Sequence, residues 1–290
     1  MKSKNPPFKF VLMLFVIGLV YMNSIQLHAQ KNNEYGSLSF NNAINVSGKQ
    51  RMLTQKISKA YLYLLNNTND AQAKRDLLTS QIVFEEQNRV LIQNCKFKET
   101  TDRLVKVNEL WKNFKNLIDG QPNYDNAKKL IDTNTDLLKA TNDVVVSIIS
   151  ASKKTIQNNK NSIEEADAIE DIIALETIIN ISGRQRMLSQ RLAFYYFANQ
   201  LELKNKNSTQ MLRNVFHELD GAINKLLISK FNTPKIDEKI GLAFSKWNTI
   251  KKNASKLTNQ ELDEAEVYKM SNELTKVFNE ITLLYEKVSI

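Results

Sequence analysis

Four basic residues are placed where they could hold an anion. Arg51 and Lys56 lie five residues apart, and Arg186 and Arg191 repeat that pair 135 positions later. A guanidinium is a planar fork of donors that matches a planar oxyanion, and it stays charged at any physiological pH. Each pair sits inside a longer repeat. Ile44–Ile57 reads INVSGKQRMLTQKI, and Ile179–Leu192 reads INISGRQRMLSQRL. Nine of the fourteen paired positions are identical; the other five, among them Lys49/Arg184 and Lys56/Arg191, are conservative. Repetition at one offset marks two copies of one module.

Other chemistry is poorly supplied. His28 and His217 are the only histidines and Cys95 the only cysteine, so no metal-ligand spacing arises. A Gly-rich phosphate loop is also missing. The neighbouring acids Glu85-Glu86 and Glu164-Glu165 read as solvated helix faces, because adjacent residues on a helix do not converge. Cys95 reads as a buried apolar thiol. No enzyme activity, cofactor or metal is expected.

Helices must position the basic residues. With 7 glycines and 4 prolines in 290 residues, little interrupts helical periodicity. Apolar spacing predicts helices over 38–66, 71–96, 99–119 and 124–157, then 162–205, 208–230, 236–255 and 260–288. Breaks fall at Asn66–Asp70, near Cys95-Lys96, at Gly120–Asn123, at Lys204–Ser208, at Asn232-Thr233-Pro234 and at Thr258-Asn259-Gln260. The expected fold is all-α: two tandem up-down four-helix-bundle modules, 30–157 and 158–290, packed with pseudo-two-fold symmetry. The polar stretch Gln157–Asn161 would be their joint. The repeat continues faintly, with Trp111 answering Trp247 and Asn142 answering Asn279. An up-down bundle returns to its starting end, so the two motif helices can lie parallel and face each other.

At 100° per residue, Val46, Leu53, Ile57, Ala60 and Leu64 share one side of the first motif helix, the side for its own module's core. Gly48, Arg51, Met52, Gln55 and Lys56 fall mainly elsewhere, as do Gly183, Arg186, Met187, Gln190 and Arg191 in the second copy. A glycine inside a helix costs about 1 kcal/mol relative to alanine. Gly48 and Gly183 therefore imply a close approach by another helix or a ligand. Arg51 and Arg186 could bind an anion, or could bond carbonyls or a carboxylate inside the bundle. Lys56 and Arg191 lie 140° around the helix from their arginines, so one helix cannot aim both cations at one point. Two facing helices could. Met52 and Met187 read as packing residues. Asn45 with Ser47, and Asn180 with Ser182, could be helix-start polar groups.

The N-terminus reads as a targeting segment. Lys2, Lys4 and Lys9 precede the apolar run Phe10–Met22, and Leu27-His28-Ala29 follows. That run has the length of a secretory h-region and is short for a membrane span. A signal peptide over 1–29 is expected, with an uncleaved inner-membrane anchor as the alternative. A second such run is absent before Ile290, so the chain is expected to lack its own output domain and to pass any signal through a partner. The net charge is +9, nearer +6 with the three leader lysines set aside. That excess suits anions or a membrane surface, or is an ordinary solvated surface. It carries no basic run interleaved with aromatics, so no nucleic-acid partner is expected.

The motif I-N-x-[AS]-G-x-Q-R-M-L-[ST]-Q-[KR] resembles the N-terminal sensor domain of type IV pili methyl-accepting chemotaxis transducers, the PilJ-type family. It is also similar to the P-box of nitrate/nitrite sensor kinases. The resemblance implies periplasmic four-helix bundles and, from the nitrate sensors, a small anion held between the first helices of two subunits. By position, the P-box arginine matches Arg51 and Arg186, and the second basic position matches Lys56 and Arg191. Two departures stand out: Lys56 lacks a guanidinium, and Ser47 and Ser182 replace alanine. The expected ligand-binding set is Asn45, Gly48, Arg51, Lys56, Asn180, Gly183, Arg186 and Arg191. The expected role is an exported, periplasmic or secreted sensory protein for a small anion such as nitrate or nitrite, working through a membrane-bound signalling partner. The alternative is a structural or partner-docking helical module with no small ligand.

Overall fold

The computed structural model describes residues 34–158, 164–203 and 207–290. The expected signal peptide and most of the expected joint at 157–161 lie outside the described residues. A two-residue hairpin, β1 (Glu34–Tyr35) with β2 (Leu38–Ser39), precedes the first helix. Gly36 turns it at φ +68°, and a Cβ there would stand 2.3 Å from the Asn94 carbonyl oxygen, so the turn needs glycine.

The described helices are α1 (Phe40–Asn66), α2 (Ala71–Asn94), α3 (Lys98–Ile118), α4 (Tyr124–Asn158), α5 (Glu164–Gln200), α6 (Ser208–Leu227), α7 (Pro234–Lys252), α8 (Ala254–Thr258) and α9 (Glu264–Glu286). Their starts follow capping chemistry. Ser39, Asp70, Thr233 and Asp263 each accept a backbone N–H three residues on, and Pro234 takes the first position of α7. The sequence reading of Pro234 as part of a break is thus refined: it opens the helix. The predicted 236–255 helix runs 234–252 and is followed by the short α8. Predicted ends elsewhere differ by a few residues.

In the first half, α1 packs on α2 and α4, α4 on α3, and α2 on α3. In the second half, α5 packs on α6 and α9, α9 on α7, and α6 on α7. The halves are two rings of four long helices. Between the rings, α1 lies along α5 in the most extensive helix pair of the described residues, flanked by α1 with α9 and α4 with α5. Tyr63 meets Phe197 at 5.3 Å between ring centres, and Gly48 faces Arg186 as Gly183 faces Arg51. Matching positions of the repeat lie at one height, so α1 and α5 run parallel.

The side of each motif helix that lies off its own core stripe is covered by the sister helix, the close approach that Gly48 and Gly183 imply. From Gln50 to Leu64 every residue but Lys56 is buried, and from Gln185 to Ala198 all are. One side of each motif helix packs in its own ring, and the other packs against the sister helix. Buried polar groups must find partners. Many bond backwards along the helix: Ser47 Oγ to the Ile44 carbonyl, Thr54 Oγ1 to that of Arg51, Ser58 Oγ to that of Thr54.

The repeat also survives in the outer helices. Trp111 Nε1 donates to Glu85 at 3.0 Å, and Lys115 pairs with the same carboxylate. Trp247 Nε1 donates to Asp220 at 2.9 Å, and Lys251 pairs with it. The tryptophan correspondence read from the sequence extends to its hydrogen bonds. No described helix is long and apolar enough to cross a membrane.

Candidate functional site

Arg51 and Arg186 meet at the α1–α5 contact. Each guanidinium also lies over the sister helix's glycine. A Cβ on Gly48 would stand 3.2 Å from Arg51 Nη2 and 3.4 Å from Arg186 Nη2. One on Gly183 would stand 3.0 Å from Arg186 Nη2 and 3.8 Å from Arg51 Nη2. The glycines are seats for the two cations, which explains their place inside helices. Gly183→Ala is expected to destabilise by roughly 1 kcal/mol, because the displaced hydrogen bonds outweigh the gain in helix propensity. Gly221 of α6 offers open space, with nothing within 4 Å of an added Cβ, and Gly221→Ala should stabilise by about 0.5–1 kcal/mol. Urea denaturation of both variants checks the pair; a Gly183→Ala as stabilising as Gly221→Ala would show that the guanidiniums are not held.

The arginines are 1% and 0% exposed, so protein groups must satisfy them. Arg51 donates from Nη1 to Asn142 Oδ1 at 2.9 Å and from Nη2 to Asn180 Oδ1 at 2.8 Å. Arg186 donates from Nη1 to Asn279 Oδ1 at 3.0 Å and from Nη2 to the Asn45 carbonyl at 3.2 Å. The Asn142/Asn279 correspondence thus has a reason: each asparagine holds its own ring's arginine. Asn180 and Asn45 tie each arginine to the other ring. They differ in how they do so, because the Asn45 side chain is turned to donate to Glu286.

All these acceptors are neutral. Among the described residues no carboxylate bonds either guanidinium, and Arg51 Nε is buried without a partner. Burial lowers both pKa values. The charges of Arg184 and Arg186 depress Arg51 further while Glu218 opposes them; Glu286 opposes the drop at Arg186. Both remain cationic at neutral pH. Two cations with no directly bonded carboxylate therefore meet at the α1–α5 contact, with Glu218 and Glu286 the more distant opposing charges.

Lys56 and Arg191 go to opposite sides. Lys56 Nζ pairs with Asp76 of α2 at 3.0 Å. Asp76 also accepts from Gln72 Nε2, Tyr268 Oη and Asn272 Nδ2 at 2.9, 2.8 and 3.0 Å. Beside it, the fully buried Lys59 donates to Ser271 Oγ and Asn272 Oδ1 and lies 3.8 Å from the Tyr268 ring centre. Arg191 has no carboxylate partner among the described residues. Its Nη2 donates to Tyr195 Oη at 2.7 Å. It lines a cavity of about 400 Å³ between α1, α4, α5 and α6, together with Arg51, Lys139, Asn142, Arg184 and Glu218. Arg184 is paired with Glu218.

Of the eight expected site residues, Asn45, Gly48, Arg51, Asn180, Gly183 and Arg186 come together at the helix contact. Lys56 and Arg191 do not join them as a pair. The cavity instead draws cations from both motif helices, Arg51 from α1 and Arg184 and Arg191 from α5, as two facing helices allow. Sequence reasoning missed Asp76, Lys59, Tyr268 and Asn272. No local spacing links them; only the difference between Asp76 and its counterpart Met211, also 135 residues on, was there to be noticed.

A family model described as "Type IV pili methyl-accepting chemotaxis transducer N-term", PilJ, matches residues 36–137 and 175–272. One match covers most of each ring, and together they span more than half of the chain. No curated protein and no solved structure matches the chain.

Proposed function

Because the chain belongs to the PilJ family of type IV pili methyl-accepting chemotaxis transducer N-terminal domains, in two copies, we propose that it is an exported sensory protein that binds a small anion between its motif helices. In this reading residues 1–29 are a signal peptide, and 30–157 and 158–290 are the two sensor modules. The family is a sensory one rather than a catalytic one, and its N-terminal domains face the periplasm in transducers. The similarity to the P-box makes nitrate and nitrite the first ligands to try.

One observation carries the proposal: the buried Arg51–Arg186 pair has only neutral partners, beside a cavity that adds Arg191. An anion reaching that cavity lowers the repulsion between the rings. A ligand shifts a conformational balance only by its difference in affinity for the two states. Here the states are two packings of α1 on α5, and a membrane-bound partner reads the change. Titration calorimetry with nitrate and nitrite, on wild type and Arg191→Ala, tests it. Binding by wild type that weakens at least about tenfold in the variant is expected, the worth of one charge-assisted hydrogen bond. Absence of heat at millimolar ligand removes nitrate and nitrite.

A second reading has its own support. The arginines already bond acceptors across the rings, as ties in a structural or partner-docking module would. It predicts no response to any anion and loss of the α1–α5 contact on Gly48→Leu.

A further inference from the structure

Asp76 shows what the opposite side of the molecule is missing. The two sides are built from corresponding parts: α1, α2 and α9 around Lys56, and α5, α6 and α4 around Arg191. The correspondence is fixed independently by Glu85/Asp220, which hold the two tryptophans, and by Asn142/Asn279, which hold the two arginines. By it, Lys56 answers Arg191 and Asp76 answers Met211. On the first side the Asp76 carboxylate sits among Lys56 Nζ, Tyr268 Oη and Asn272 Nδ2 and supplies the countercharge. On the second side a methionine stands there, Arg191 lacks a carboxylate, and the cavity of about 400 Å³ lies against them.

We propose that this cavity takes a small organic monocarboxylate, one per chain, whose carboxylate supplies to Arg191 and Arg51 what Asp76 supplies to Lys56. The inference rests on the sensory reading above and names the ligand class for it. The volume lies at the lower end of the range for small-molecule sites, more room than a bare inorganic oxyanion fills. The apolar part of the lining, Leu138, Met187, Leu188, Met211 and Val215, suits an apolar body behind a charged head, with Thr135, Lys139, Asn142 and Asn214 the further polar groups around it. The cationic head end is built in. Arg191 is 6% exposed, and the buried Arg51 Nε has no protein partner. Arg184 is already paired with Glu218, so it serves the rim. The mirror site is closed by the protein's own Asp76, which limits the stoichiometry to one.

The test uses benzoate and 4-methylpentanoate as probes, with nitrate alongside, on the full chain lacking only its first 29 residues. Calorimetry is expected to give one site per chain for the carboxylates. Met211→Asp installs the missing carboxylate beside Arg191. It should weaken carboxylate binding by at least about tenfold while raising the unfolding temperature of the ligand-free protein. Arg191→Gln, which keeps the side chain polar and nearly as long, should weaken binding without that rise and stands in should Met211→Asp not fold. Nitrate binding that Arg191→Gln abolishes, with no response to either carboxylate, overturns the ligand class and leaves the anion-sensing reading standing. Carboxylate binding unaffected by both variants overturns the location. Silence from all three ligands overturns the inference and, for nitrate, the reading beneath it.

Discussion

Replacing Asp76 by asparagine is expected to cost about 3–5 kcal/mol, the range for removing one partner of a buried ion pair. The substitution keeps the shape and removes only the charge. Burial alone would raise the Asp76 carboxyl, but the charge and hydrogen bond of Lys56, then Tyr268 and Lys59, hold it below its ordinary value. Its stabilising effect is present above the ordinary carboxylate range and is lost as pH falls through the lower folded value. Lys56 contributes through the direct ion pair, and Lys59 through the burial of a second cation close by. The Lys59 amine is fully buried, and its pKa is held well down by that burial and by Lys56, with Asp76 the one opposing charge. Without Asp76 the chain must bury an uncompensated ammonium or neutralise it. Lys56 acts most strongly on the carboxyl itself, although part of its side chain is exposed and screened by solvent.

A second change separates this cause from simple loss of hydrogen bonds. Lys59→Met removes the buried charge and keeps the length, so it should recover a good part of the loss when combined with Asp76→Asn. Urea denaturation at pH 7 of the single and double variants measures the coupling. Losses that merely add would rule out the charge as the cause. The same experiment bears on the ligand argument. A protein that needs a carboxylate on one side of its inter-ring core should respond to one on the other.

The fold was legible because it is written in periodicity. Scarce glycine and proline, apolar spacing and a motif repeated at one offset give all the long helices, their pairing into two halves, and the parallel sister helices. The tryptophan and asparagine correspondences were legible for the same reason: each lies at one position in a repeated frame. The approach of the sister helix was implied by Gly48 and Gly183, but the phasing of one helix could not show that the contact buries nearly the whole of both motif helices. The partners of Lys56 were hidden too. Asp76 is twenty residues away across a turn, and Tyr268 and Asn272 come from the other ring. Arg51 and Arg186 were left open between anion binding and structural bonding, and the geometry explains why: both have protein acceptors, yet neither bonds a carboxylate.

Glu176 should make the stability of this protein fall as pH rises toward neutrality. It lies about three turns into α5, is fully buried, and accepts from Ser152 Oγ of α4, while its Oε2 has no protein partner. Burial pushes its carboxyl up to about 7 from an ordinary value of 4.5, with the Ser152 bond pulling the other way. A raised acid holds its proton longer in the folded chain than in the unfolded one. Stability from this group is therefore greatest below the ordinary value, declines between there and about 7, and stays low above. At 1.36 kcal/mol per pH unit the full loss is on the order of 3 kcal/mol. Glu176→Gln keeps a polar group for Ser152 and cannot ionise, so it should stabilise by about 2–3 kcal/mol at pH 8 and by little at pH 4.5. Denaturant midpoints of wild type and variant at the two pH values check this, and an equal difference at both would sink it. The position gives the effect a mechanical meaning. Ser152 belongs to the first ring and Glu176 to the second, so ionising this carboxyl strains an α4–α5 contact on the same inter-ring seam that holds Arg51 and Arg186. The Glu176→Gln variant, held in the uncharged form, should resist loosening of that seam at neutral pH. Hydrogen exchange along α4 and α5 in the same two buffers would show the protection directly.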